Sequence, residues 1–152
     1  MELQVREARL TDIDRIRSLI ERTDQRWSAD DLSAAADLLR QLVYLPNAAV
    51  LVALDGRQVL GMAVLSLRPS VAAGGLVGTL DILAVEPGHE SAGVAEALIN
   101  EVVRSARNKG CMLVEATPPD EPAEWGRFEK LGFKDAGTRL SHSLAAQRAP
   151  AR

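Results

Sequence analysis

The sequence predicts an α/β fold: a mixed, mostly antiparallel sheet with a central parallel strand pair joined by a right-handed helix crossover. Two observations carry this expectation. The apolar run Ala48 to Leu54 ends at Asp55-Gly56 and is answered by a second run, Val59 to Leu67, the pattern of an antiparallel hairpin. Further on, a strand pattern over 76–85, a helical pattern from Gly93 and an apolar run over 111–116 follow one another with short connections. Strand, helix and strand so joined make a right-handed crossover between parallel neighbours.

Each element has its own signal. Leu3-Gln4-Val5 alternates as a short strand, and Thr11-Asp12-Ile13-Asp14 then sets Thr11 as an N-cap candidate three residues before an acid. Ile13, Ile16 and Ile20 recur at helical spacing after it. The same start signal returns at Ser28-Ala29-Asp30-Asp31, ahead of Leu32, Ala35, Leu39 and Leu42. After the hairpin, residues 68–75 read as a loop of small residues, and the long strand over 76–85 stops at Glu86-Pro87-Gly88. The helix from Gly93 carries Val94, Leu98, Val102 and Ala106 on one side, with Arg107 and Lys109 in its last turn and Gly110 as its stop. Cys111 to Ala116 reads as a buried strand. A short helix bearing Trp125, Phe128 and Leu131 ends at Gly132, and a final strand pair is expected to run to about Leu144. Residues 1–144 are thus read as one domain and 145–152 as a frayed tail.

Composition narrows the function. The 152 residues include 18 Lys and Arg against 21 Asp and Glu, a net charge of −3, so the basic footprint of a nucleic-acid reader is lacking. The five aromatics, Trp27, Tyr44, Trp125, Phe128 and Phe133, form no series of stacking platforms. No apolar run reaches membrane-spanning length and no leader pattern opens the chain, so a cytoplasmic protein without a membrane partner is expected. The single Cys111 has no internal disulfide partner, and His89, Cys111 and His142 are too widely spaced to suggest a metal site.

The segment Val85-Glu86-Pro87-Gly88-His89-Glu90-Ser91-Ala92-Gly93-Val94-Ala95 places small residues between a strand and a helix. Free amides at a helix start favour an anion, and small side chains let a phosphate approach, although an ordinary strand-to-helix turn has the same look. It is neither a dinucleotide fingerprint nor a P-loop, since it lacks both the glycine trio and a Gly-Lys-Ser/Thr ending.

Element order and two motifs resemble the GNAT N-acetyltransferase superfamily over residues 2–144. Leu83-Ala84-Val85-Glu86-Pro87 followed by Gly93-Val94-Ala95-Glu96-Ala97-Leu98-Ile99 is similar to the family's acetyl-coenzyme A segment, and Phe128-Glu129-Lys130-Leu131-Gly132-Phe133 is similar to its Phe-Tyr-Glu-Lys-Leu-Gly-Phe ending. The resemblance implies acetyl-CoA as co-substrate, with cofactor contacts at Leu83, Ala84, Val85, Ser91, Ala92, Gly93, Val94, Ala95 and Phe128. It also implies direct acetyl transfer to an amine of a small molecule or peptide, with Asp81 as the candidate base, because relatives place a glutamate there. A hydrogen-bonded strand carboxylate is the other reading of Asp81. Homodimerisation, common in the superfamily, is the corresponding expectation for assembly.

The chain departs from the family pattern twice. Glu90 stands where relatives carry Gln or Arg, so a carboxylate either faces the pyrophosphate or turns to solvent. Phe128 stands where many relatives carry a tyrosine proposed to protonate the departing thiolate, and phenylalanine has no proton to give. A protein that keeps the fold without turnover, as an acyl-CoA sensor or partner-binding subunit, is the alternative these departures raise. Glu115 is a second carboxylate candidate below Asp81, while Arg22, Arg26, Trp27 and Arg68 fall in regions that line the acceptor side in relatives. Tyr44 is read as a core or rim residue.

Overall fold

The computed structural model describes residues 2–24, 26–88, 91–137 and 139–144. The chain divides into two compact units, Met1–Ala116 and Thr117–Arg152.

The first unit opens with β1 (Leu3–Glu7), a single 3-10 turn (Leu10–Asp12) and α1 (Ile13–Thr23). The helix begins one residue later than Thr11 as N-cap would set it, because Asp12, not Thr11, organises the turn. The Asp12 carboxylate accepts the Arg9 amide at 2.7 Å, Arg6 Nη1 at 2.7 Å and Arg15 Nη2 at 2.6 Å, and its side chain is 0% exposed. A buried acid with three donors ties β1 to the start of α1. The Arg6 hydrogen bonds are the main reason that the Asp12 carboxyl titrates below the ordinary range and Arg6 above its own, against the opposing cost of burial.

The second helix, α2 (Ala29–Leu42), starts as its sequence signal predicts. Ser28 Oγ accepts the Asp31 amide at 3.0 Å, and the Asp31 carboxylate accepts the Ser28 amide at 3.4 Å. Then come β2 (Ala48–Asp55) and β3 (Gln58–Ser70), joined by a two-residue turn in which Gly56 takes φ +61°. β3 runs on to Ser70 and pairs with β4 (Gly75–Val85) as far as Ser70 opposite Gly75. The loop expected at 68–75 therefore shrinks to the tight turn 71–74, where Gly74 at φ +78° donates to the Ser70 carbonyl, and Arg68 lies within a strand. A long helix, α3 (Ser91–Asn108), crosses to β5 (Cys111–Ala116), with Gly110 at φ +86° closing it.

The five strands form one sheet in the order β1-β2-β3-β4-β5, antiparallel except for the β4–β5 pair. Met62, Val64, Ile82 and Ala84 pack with Ile13, Ile16, Leu19, Ile20 and Leu32, so α1 and α2 cover one face. Adjacent Gly61 faces the other way: a Cβ there would lie 2.8 Å from Leu98 and 2.9 Å from Val94 of α3. α3 thus covers the second face. β5 is half-exposed rather than buried as expected, with Met112 and Leu113 largely open, because it is the last strand of this sheet and pairs with β4 alone.

In the second unit α4 (Pro122–Lys130) ends at Gly132, which takes φ +98°. Trp125 Nε1 donates to the Pro119 carbonyl at 3.1 Å, and the Phe128 and Phe133 rings meet edge to face at 5.2 Å. The final strand pair is not present among the described residues: 133–137 and 139–144 carry no strand. Lys134-Asp135-Ala136-Gly137 bends instead, as Asp135 accepts the Gly137 amide at 3.0 Å and Gly137 takes φ +102°. A local side-chain bond of this kind competes with a strand ladder. The tail over 145–152 lies outside the described residues.

Candidate active site

β4 and β5 run side by side only as far as Leu80 and Ala116. There β5 ends, while β4 continues to Val85 paired with β3 alone. The Glu86 amide donates to the Leu60 carbonyl at 2.8 Å, which sets the parity of that ladder. If Leu60 and Glu86 are a hydrogen-bonded pair, so are Met62 with Ala84 and Val64 with Ile82. The amides of Leu83 and Val85 therefore point away from β3, toward the side on which β5 has ended. They are two donors about 7 Å apart along one open strand edge.

Asp81 sits where this edge begins. Val64 pairs with Ile82 and Leu65 with Leu80, so Asp81 is the extra residue of a β-bulge, and it is exposed. Bulges re-aim side chains and end pairing, and here both happen at one residue.

Beyond Val85 the chain enters α3. The Ser91 amide donates to the Gly88 carbonyl at 3.2 Å, whereas the next amides of the first turn have no acceptor inside the helix. This turn holds no acid, Ala92 and Gly93 are exposed, and a Cβ on Gly93 would meet nothing within 4 Å. Val94 and Ala95 are buried, so their side chains belong to the core and only their backbone faces this end. Glu90 and His89 lie outside the described residues. Phe128 belongs to the second unit, half-buried against Phe133.

Two ion pairs that sequence reasoning missed stand on the α1–α2 face of β4. Arg22, in the last turn of α1, holds Glu86 at 3.0 Å. Arg68 of β3 reaches across β4 to Glu115 of β5 at 2.9 Å. The register explains this: Arg68 is opposite Val77, and Glu115 is opposite Thr79, so all four share the face away from Gly78, whose Cβ direction points to Ala106 of α3. Arg26 pairs with Asp24 at 3.1 Å, and Trp27 packs against the core. Tyr44 lies just past α2 and is mostly exposed. Burial pushes the Cys111 thiol above its ordinary value. Among the described residues no cluster of His, Cys, Asp and Glu could hold a metal ion, and no helix is long and apolar enough to cross a membrane.

The sequence model of the acetyltransferase (GNAT) family matches residues 13–133. The chain belongs to this family. A glucosamine 6-phosphate N-acetyltransferase from Trypanosoma brucei brucei is 32% identical over 78 residues, a match that covers 51% of this chain and about half, 52%, of that protein. Among solved structures, a Trypanosoma brucei acetyltransferase aligns with a TM-score of 0.73 at 24% identity, covering 94% of this chain and 100% of that one. The aminoglycoside N-acetyltransferase AAC(6')-Iy, solved in complex with CoA, aligns with a TM-score of 0.78 at 23% identity, covering 93% of this chain and 94% of that one. These two likenesses establish the GNAT fold, including its parallel β4–β5 pair.

Proposed function

We propose that this GNAT protein moves the acetyl group of acetyl-CoA to an amine by direct attack, and that residues 1–144 act as one transferase domain, as the family match across both units supports. The observation that carries the reading is the β4 edge over 81–85, released from β5 with the Leu83 and Val85 amides turned into the gap. Acetyl-CoA supplies an activated acetyl thioester and a pyrophosphate, and the donors present suit both. The Val85 and Leu83 amides orient the pantetheine arm and polarise the thioester carbonyl, with Ala84 between them contributing its backbone. The first turn of α3, residues 91 to 95, holds the pyrophosphate on its amides, helped by the helix dipole and by the bare Gly93.

Asp81, at the mouth of the gap, takes a proton from the acceptor amine, directly or through a water. The named activities of two relatives, on glucosamine 6-phosphate and on aminoglycosides, agree with an amine acceptor and support no particular one. Phe128 gives no proton to the leaving thiolate. A thiol with a pKa near 8.5 is a tolerable anionic leaving group, so this slows the reaction without forbidding it. The same residue favours the second reading, an acyl-CoA sensor without turnover.

Release of free thiol from acetyl-CoA, followed across a panel of amines, separates the two. Amine-dependent release supports the transferase; micromolar binding of acetyl-CoA without release with any amine supports the sensor; absence of binding contradicts both.

A further inference from the structure

On the α1–α2 face, β4 changes character at the bulge. Ile82 and Ala84 lie within or against the core, whereas Thr79, on the other side of Asp81, is flanked by the Arg68–Glu115 pair. Thr79 is two residues from Asp81, roughly 7 Å along the strand. Beside the proposed site of proton transfer, therefore, a guanidinium is fixed over β4 at about the reach of a small acceptor.

That guanidinium is held but not used up. Among the described residues its hydrogen bond to Glu115 runs from Nη2 to a single oxygen at 2.9 Å, and both side chains remain about half exposed. Arginine has five N–H donors in a fixed fork, so Nη1 and Nε stay available for a second, planar or tetrahedral, anion. Half-exposed ion pairs add little to stability, and what this one does is hold the fork across the strand in place of a free rotor in solvent. Asp81 is negative at one end of this stretch and Arg68 positive at the other, a field that suits an acceptor with an ammonium group and an anion.

We propose that Arg68, held by Glu115 across β4, forms the distal part of the acceptor site and selects amines that also carry a carboxylate or phosphate. This rests on the transferase reading above for where the amine reacts.

The test uses matched acceptors on the full chain: glucosamine 6-phosphate against glucosamine, a dipeptide against its C-terminal amide, and spermidine as a polycation. Thiol release is measured for wild type, Arg68→Met and Arg68→Lys, together with calorimetric binding of each amine to the CoA-saturated chain. The anion-bearing member of each pair should have at least tenfold higher kcat/KM, Arg68→Met should bring that ratio close to one, and Arg68→Lys should keep part of it. Equal use of both members, preference for spermidine, or an Arg68→Met ratio unchanged from wild type overturns the proposal. If no amine is turned over but binding still shows an Arg68-dependent preference for the anion, the subsite stands and the transferase reading falls. Neither turnover nor such binding overturns both.

Discussion

Leu80 and Ala116 are the last residues at which β4 and β5 pair, and Asp81, the next residue of β4, is also looped out of the β3 ladder. One bulge thus does two things: it ends the parallel pairing, and it sets a carboxylate at the entrance of the gap that results. The donors of Leu83 and Val85 follow along the same edge, and the start of α3 lies six residues beyond Val85. Four predictions follow from this arrangement and from the packing behind it.

The first concerns Asp81. A lysine-like amine with a pKa near 10.4 is only about one part in a thousand neutral at pH 7.4, whereas an α-amine near pKa 8 needs little help. Asp81→Asn should lower turnover about 100-fold for the former and much less for the latter. Steady-state rates with the two kinds of acceptor check this, and an equal loss for both would remove Asp81 from the base role.

The second contrasts two glycines. A Cβ on Gly61 would lie 2.8 Å from Leu98 and 2.9 Å from Val94, so Gly61→Ala must displace these two buried side chains of α3 and should cost about 1 to 3 kcal/mol in urea unfolding. Gly93 has open space around it, so Gly93→Val should leave stability equal or higher, since valine is the better helix former. Its effect should appear in acetyl-CoA affinity, weakened about tenfold because the new side chain stands over the first-turn amides.

The third uses the pair of Arg22 and Glu86, 3.0 Å apart. An exposed pair contributes under about 1 kcal/mol to folding, so Arg22→Ala should barely move the unfolding midpoint. It does free a negative charge between the β4 edge and α3. Acetyl-CoA should then bind several-fold more weakly at low salt, and adding Glu86→Gln should restore the affinity. Loss of affinity without rescue would mean that Arg22 acts by another route.

The fourth concerns Asp12, buried beneath Arg6 and Arg15. Its pKa is lower folded than unfolded, chiefly through the Arg6 hydrogen bonds, so the unfolded chain takes up the proton first as pH falls. The stabilisation is whole above about pH 4, the unfolded value, and is lost as pH drops through the folded one. Asp12→Ala should cost about 3 kcal/mol at pH 7, because it strands two arginines beside a buried cavity, and should flatten the acid limb of stability against pH. Urea melts between pH 3 and 7 measure both.

Much of this fold was legible in the sequence because its signals are local. The Ser28 cap, the Asp55-Gly56 turn, and Gly110 and Gly132 as helix stops depend on neighbours a few residues away, and each is found where the pattern put it. The resemblance to the acetyltransferase family likewise rested on contiguous motifs. What stayed hidden depends on register. That Asp81 is bulged, that β4 and β5 part after Leu80, and that Glu115 shares a face with Arg68 all follow from strand pairing and from the extra residue Met112 in β5, which alternation alone does not reveal. Asp12 is not legible as the organiser of its turn because its partners, Arg6 and Arg15, come from a strand and from the following helix turn. The strand pair expected after Gly132, not present among the described residues, shows the reverse error, in which the local turn at Asp135 and Gly137 prevails over the expected ladder.

The central claim is that the free edge of β4 and the first turn of α3 together hold acetyl-CoA. Amide shifts of the 15N-labelled chain, followed as acetyl-CoA is added, test it most directly. The account predicts saturable micromolar binding with the largest changes at Leu83, Val85, Ala92, Gly93 and Val94. No saturable change, or changes centred on residues remote from these, would contradict it.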